Sequence, residues 1–270
     1  MFKFWLPLFA LCFVVSCDMK EQNQDKNQVN ETEQDSTITE DTEEGEITEP
    51  EATEVWDPEP AVITFNEKGA PSDAIVLFNG ENLDAWKSTT DTTKAASWTV
   101  NKDGSFTVRP KSGDIETKQS FGDIQLHIEW RAPQEITGES QGRGNSGIFF
   151  QKRYEVQVLD SYDNRTYSNG QATAIYKQSI PLVNATKAPS EWQTYDIIYH
   201  EPKFNDDGKK VKSGTFTVLH NGVVTQDHVE LQGTTEYIGK PKNTVHGTAP
   251  LELQDHGNLV SYRNIWLREL

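Results

Sequence analysis

From residue 144 to residue 160 apolar and polar positions alternate by twos. Ile148 and Phe150 share a face against Gly147, Phe149 and Gln151; past Lys152 and Arg153, the residues Tyr154, Val156 and Val158 oppose Glu155, Gln157 and Leu159. That period predicts a β-hairpin. The same period runs through residues 124–131, with Ile124, Leu126, Ile128 and Trp130 on one face and Gln125, His127, Glu129 and Arg131 on the other. Shorter apolar runs predict strands at 74–78, 97–100, 105–108, 193–199, 215–219, 223–229, 251–254 and 264–267. Between two of these, Asn221-Gly222 favours a tight type I′ turn. No stretch sustains a helical period. Many short strands with glycine-rich turns predict an all-β domain, an antiparallel β-sandwich of jelly-roll type.

The alternation stops short of the amino terminus. Residues 18–60 hold sixteen Asp or Glu against two Lys and almost no aliphatic or aromatic side chains before Val55 and Trp56. Such a segment buries too little to offset its chain entropy and is expected to be a disordered, self-repelling tether. Residues 1–17 read as a targeting segment, with Lys3 ahead of an apolar run that closes on Val14-Val15-Ser16-Cys17. That tetrapeptide resembles a bacterial lipobox, which predicts cleavage before Cys17, lipidation of its thiol and a place in the bacterial cell envelope, at the outer membrane or cell surface. The remaining cysteine, Cys12, leaves with the signal, so residues 61–270 have no thiol for a disulfide, a zinc cluster or a nucleophile. The tether carries most of the formal net charge of −17. Neither tether nor domain offers a basic stripe. Nucleic acid is therefore not an expected partner, and membrane contact is expected only through the anchor at Cys17. Residues 61–270 suffice for one domain with one core.

Two carboxylates, Glu155 and Asp160, and two amides, Gln151 and Gln157, crowd the central hairpin beside aromatic residues. These groups suit a sugar-binding cleft, although polar alternation is also the ordinary wet side of an antiparallel sheet. Further motifs stand around them: residues 145–162, Gly170-Gln171 to Tyr176, Pro181-Leu182-Val183-Asn184-Ala185, Glu191-Trp192-Gln193-Thr194-Tyr195-Asp196, Leu219-His220-Asn221-Gly222-Val223 and Leu253-Gln254-Asp255-His256-Gly257-Asn258. In this order they resemble the 3-keto-disaccharide hydrolase family, over about residues 75–270. The resemblance implies a concanavalin A-like lectin/glucanase jelly roll and cleavage of 3-keto-glucosides by elimination followed by hydration.

Such chemistry needs a base, an acid for the leaving oxygen and an electrophile for the enolate. Glu155, Asp160 and His256 are the catalytic candidates. Arg131, Asn145, Gln157, Gln171, Tyr176 and Gln254 are the substrate-binding candidates. Arg131 or a divalent metal would serve as the electrophile, and no compact metal-ligand motif is visible. His256 also sits in a good turn sequence, where a structural hydrogen bond is an equal reading. Two other functions stay open. Glu155, Gln157 and Asp160 have the i, i+2, i+5 spacing of laminarinase-type retaining glycosidases, with Gln157 in place of a middle carboxylate. A lectin-like sandwich with aromatic residues also suffices for a non-catalytic carbohydrate-binding module.

Overall fold

The structure is a computed structural model and describes residues 47–270. The signal segment, Cys17 and most of the tether lie outside the described residues. Residues 47–59 belong to a first unit that ends at Glu59; each of them is exposed, and Pro50–Thr53 forms a single 3-10 turn. The second unit, Pro60–Leu270, holds the fold.

Fifteen strands are described: β1 (Ile75–Phe78), β2 (Trp86–Ser88), β3 (Thr99–Val100), β4 (Phe106–Thr107), β5 (Ile115–Phe121), β6 (Ile124–Arg131), β7 (Ser146–Phe150), β8 (Tyr154–Val158), β9 (Gln193–His200), β10 (Lys203–Phe204), β11 (Lys210–Lys212), β12 (Thr215–His220), β13 (Val223–Glu230), β14 (Ala249–Leu253) and β15 (Ser261–Glu269). An eight-stranded sheet runs β13-β12-β9-β6-β15-β4-β3, with β1 also on β15. A five-stranded sheet runs β2-β5-β14-β7-β8. The pairings are antiparallel, and the molecule is the jelly-roll sandwich expected from its strand pattern.

Alternation decides which face is inside. On β6 the four apolar residues are buried and the four polar ones half-buried, and β9 pairs with it so that Tyr195, Ile197 and Tyr199 join the same layer. The five-stranded sheet contributes Ile148, Phe150, Tyr154, Val156 and Val158. The layers meet at Phe150, whose ring centroid lies 4.9 Å from Phe216 and 5.0 Å from Tyr199. Burial of side chains this large contributes about 1.5–3 kcal/mol each. The turn at Asn221-Gly222 has φ of 53° and 80°, the double positive φ that a type I′ hairpin needs.

Two strands of the five-stranded sheet escape the hydrophobic pattern. In β5 five polar residues separate Ile115 from Phe121, and β2 is three residues long. Both are specified by pairing with neighbours and not by local alternation: Lys87 opposes Glu116, and Glu116 opposes Glu252. One cross-strand row thus carries Lys87, Glu116, Glu252, Phe149 and Glu155 on the face away from the core.

Candidate active site

The hairpin β7-β8 floors a cavity of about 790 Å³ on that outer face of the five-stranded sheet. Phe149, Glu155 and Gln157 rise from the strands. Ser140, Gln141, Gly142 and Asn145 form one wall, Tyr167 and Tyr176 a second, Thr235 and Tyr237 a third, and Gln254 and His256 close the fourth. Register explains the floor. Phe149 opposes Glu155 and Gly147 opposes Gln157, so the position beside the Glu155 carboxyl falls to a glycine. A Cβ there would stand 2.6 Å from Glu155 Oε1 and 2.8 Å from Phe149 Cε2, inside contact distance. Gly147 is what lets the carboxyl lie flat on the strand.

Glu155 is 4% exposed, and among the described residues no cation pairs with it. Burial pushes its carboxyl up to about 8, because taking a charge out of water without a counter-ion favours the neutral form. Thr235 Oγ1 accepts its backbone N–H at 3.0 Å, tying the third wall to β8. The hydroxyls of Tyr167 and Tyr176 share a hydrogen bond, and Lys177 Nζ lies 4.5 Å from the centre of the Tyr167 ring. Burial raises both phenols above the usual range, so they stand in the cavity as neutral hydrogen-bonding groups.

His256 is exposed at the rim, on a loop fixed by Asp255. The Asp255 carboxylate accepts the N–H groups of Ser112 (3.0 Å), Gly113 (3.1 Å) and Gly257 (3.0 Å), while its own N–H donates to Asp114 Oδ1 at 2.7 Å. Asn258 Oδ1 accepts the Asn145 N–H at 2.7 Å, and the Ser146 hydroxyl donates to the Gln254 carbonyl at 2.7 Å. The motif around His256 is thereby bound to the strand entrance at Asn145-Ser146.

Of the candidates read from the sequence, Glu155, His256, Asn145, Gln157, Tyr176 and Gln254 line this cavity. Three do not. Asp160 follows β8 without a bulge in the β7-β8 register, faces a separate cavity of about 300 Å³, and is held by Arg143 Nε at 2.7 Å. Alternation sends Arg131 to the outer face of the other sheet, since Trp130 takes the core side. There it bonds Asp103 at 2.7 Å and lies over the Trp192 ring at 4.5 Å. Gln171 turns back to the Ser168 carbonyl at 3.1 Å. Sequence reasoning missed Gln141, Tyr167, Thr235 and Tyr237, which lie outside the strands and carry no periodic signal. It also missed Phe149 as a floor residue, although the alternation had already put it beside Glu155. Glu252, across Phe149 from Glu155, was visible in the same way between Leu251 and Leu253. Burial and the nearby Asp114 raise its carboxyl to about 7, and Lys152 Nζ lies 3.7 Å away. Lys152 in turn pairs with the buried Glu116.

The metal left open by the sequence finds no ligand set. Among the described residues no three His, Cys, Asp or Glu side chains gather in a way that would hold an ion, and no step below is routed through one.

A β-sandwich with a ligand-sized cavity on its polar sheet face, floored by one buried carboxyl, defines the class. Residues 73–268 match the family described as the 3-keto-alpha-glucoside-1,2-lyase-like domain, and the chain belongs to it. A crystal structure of a putative glycosyl hydrolase from Parabacteroides distasonis ATCC 8503 is 55% identical, with a TM-score of 0.78, over 82% of this chain and 97% of that one. A second putative glycosyl hydrolase from the same organism is 23% identical, with a TM-score of 0.53, over 73% of this chain and 94% of that one; it shares the fold. No curated protein matches the chain.

Proposed function

We propose that this cavity cleaves the glycosidic bond of a 3-keto-glucoside by elimination and then hydration. One observation carries the reading: among the described residues that line the cavity, Glu155 is the only carboxylate. A retaining or inverting glycosidase flanks the scissile bond with two carboxyl groups. Elimination needs only one carboxylate, to take a proton from carbon and later return one, while the acid for the leaving oxygen and the donor for the enolate are other groups. Family membership supports the same chemistry, and the 55%-identical relative supports action on a glycosidic bond.

Ionised Glu155 takes the hydrogen on sugar carbon 2, which the carbonyl at carbon 3 makes acidic. The electron pair moves into the enolate, returns to form the carbon 1–carbon 2 double bond, and expels the glycosidic oxygen, which picks up a proton from His256 at the rim. Gln254, whose carboxamide has no hydrogen-bond partner among the described residues, is the free donor for the enolate oxygen. Water then enters and exchanges with the carboxyl proton of Glu155 before it adds across the double bond: hydroxide goes to carbon 1, the proton on Glu155 to carbon 2, and the proton that the water gives up to His256. The net result is hydrolysis without an oxocarbenium ion. A carboxyl that titrates close to neutral pH suits both halves, being a stronger base than an ordinary glutamate and still a usable acid.

The laminarinase-like reading of Glu155, Gln157 and Asp160 loses support, since Asp160 faces a different cavity from Glu155. The test is cleavage of a 3-keto-glucoside in deuterated water. Deuterium at carbon 2 of the released sugar is expected. Release without deuterium, or equal activity on the unoxidised glycoside, would overturn the proposal.

A further inference from the structure

We propose that Gln157 is a positioning residue whose carboxamide turns over with the proton on Glu155, biased toward the protonated state by two neighbouring amides locked on backbone carbonyls. The consequence for turnover rests on the function proposed above; the device itself rests on geometry alone.

In one of the two orientations open to the Gln157 carboxamide, its oxygen lies 2.8 Å from Glu155 Oε1 and 3.2 Å from the Ser146 carbonyl. An ionised carboxylate and an amide oxygen only accept, so a contact of this length requires a proton between them, and Glu155 is the group that can carry it. On its other side Gln157 Nε2 donates to Gln141 Oε1 at 3.0 Å and to Asn145 Oδ1 at 3.4 Å. Rotating the carboxamide by half a turn would aim its N–H groups at Glu155 (2.8 Å) and at the Ser146 carbonyl (3.2 Å), as an ionised Glu155 demands. The same rotation puts the Gln157 oxygen 3.0 Å from Gln141 Oε1.

Gln141 is not free to follow. Its Nε2 donates to the Gly170 carbonyl at 2.8 Å and to Thr166 Oγ1 at 3.0 Å, and a carbonyl cannot reverse its role. Asn145 is fixed likewise, its Nδ2 donating to the Gln141 carbonyl at 2.7 Å. One orientation satisfies the chain from Glu155 through Gln157 and Gln141 to Gly170 and leaves the Gln157 oxygen against one acceptor, the Ser146 carbonyl at 3.2 Å. The other leaves it against two fixed acceptors, Gln141 Oε1 at 3.0 Å and Asn145 Oδ1 at 3.4 Å. This penalty on the ionised state adds to desolvation. The other titratable groups lining the cavity are the phenols of Tyr167, Tyr176 and Tyr237 and the rim imidazole of His256; Lys177 sits over the Tyr167 ring, and Lys152 is engaged by Glu116 and Glu252. In the proposed reaction, elimination leaves the proton on Glu155 and Gln157 in the locked orientation, and hydration reverses both.

Two measurements on the protein without substrate test this. With carboxyl-labelled glutamate, the ionisation of Glu155 is followed by carbon-13 NMR in wild type and in Gln141→Met, which keeps the bulk of the side chain and removes the fixed acceptor. The midpoint is expected to fall by about one pH unit or more, the scale of one charge-assisted hydrogen bond. In wild type, the side-chain amide resonances of Gln157 are expected to shift through the same midpoint. An unchanged midpoint in a folded Gln141→Met variant, or a flat Gln157 amide through the Glu155 titration, would overturn the proposal. Neither reading depends on turnover, so failure to cleave a 3-keto-glucoside would remove the proposed reaction and leave this result standing.

Discussion

Replacing Glu155 by glutamine is expected to lower turnover sharply and to raise stability, the second effect growing with pH. The folded protein holds the Glu155 proton up to about pH 8, while the unfolded chain releases it near the ordinary glutamate value of 4.5. Below 4.5 both states are protonated, and Glu155 contributes its full neutral-state stability. As pH rises from 4.5 toward 8 the unfolded state gives up its proton and the folded state does not, so wild type is progressively destabilised. Above 8 both states are ionised and the loss levels off. The span of about 3.5 pH units, at roughly 1.36 kcal/mol per unit, sets a ceiling of about 5 kcal/mol. Water entry and side-chain relaxation around a buried charge bring the realised figure to a few kcal/mol. Glutamine has no such penalty, and its N–H can replace the carboxyl O–H toward the Gln157 oxygen. For a domain of this size about 1 kcal/mol corresponds to roughly 2–4 °C. Thermal unfolding of both proteins should therefore diverge by about 5–10 °C at pH 9 and converge near pH 4.5, while turnover of the variant falls by roughly 10²-fold or more. A melting-temperature difference that stays constant with pH would refute the reasoning.

Gly147→Ala should cost about 1–3 kcal/mol of stability, because the new Cβ meets Glu155 Oε1 at 2.6 Å and Phe149 Cε2 at 2.8 Å. It should lower kcat/KM by more than that loss accounts for, as the carboxyl is pushed off Gln157; denaturation and steady-state kinetics on one preparation separate the two. Cys17→Ser should move the full-length protein from the membrane fraction to the soluble fraction without changing the unfolding midpoint of the β-domain, and retention in the membrane fraction would end the lipid-anchor reading.

Period-two alternation was legible wherever a strand has one buried face. It identified β6 to the residue and gave the face on which Glu155 and Gln157 stand, because strand geometry sends neighbouring side chains to opposite sides whatever lies beyond. The same rule had already sent Arg131 away from the core side of its strand. Only the packing of the sheets placed that face on the far side of the molecule from the cavity. Asp160 is the sharper case: five residues from Glu155 and on the same hairpin, it opens on a different cavity once the strand ends at Val158. Sequence distance along an extended chain does not say which loops will close around a point. Gln141, Tyr167, Thr235 and His256 reach Glu155 from four separate segments, through contacts that span up to about a hundred residues and leave no local period. β5 was hidden for a related reason, its polar residues being matched by Lys87, Lys152 and Glu252 and not by an apolar layer. Local alternation thus determined strands and their faces, which are properties of short stretches of backbone. The tertiary structure alone decided which polar groups share one solvent-poor cavity, and with that the proton affinity of Glu155, since desolvation depends on every segment that excludes water from it.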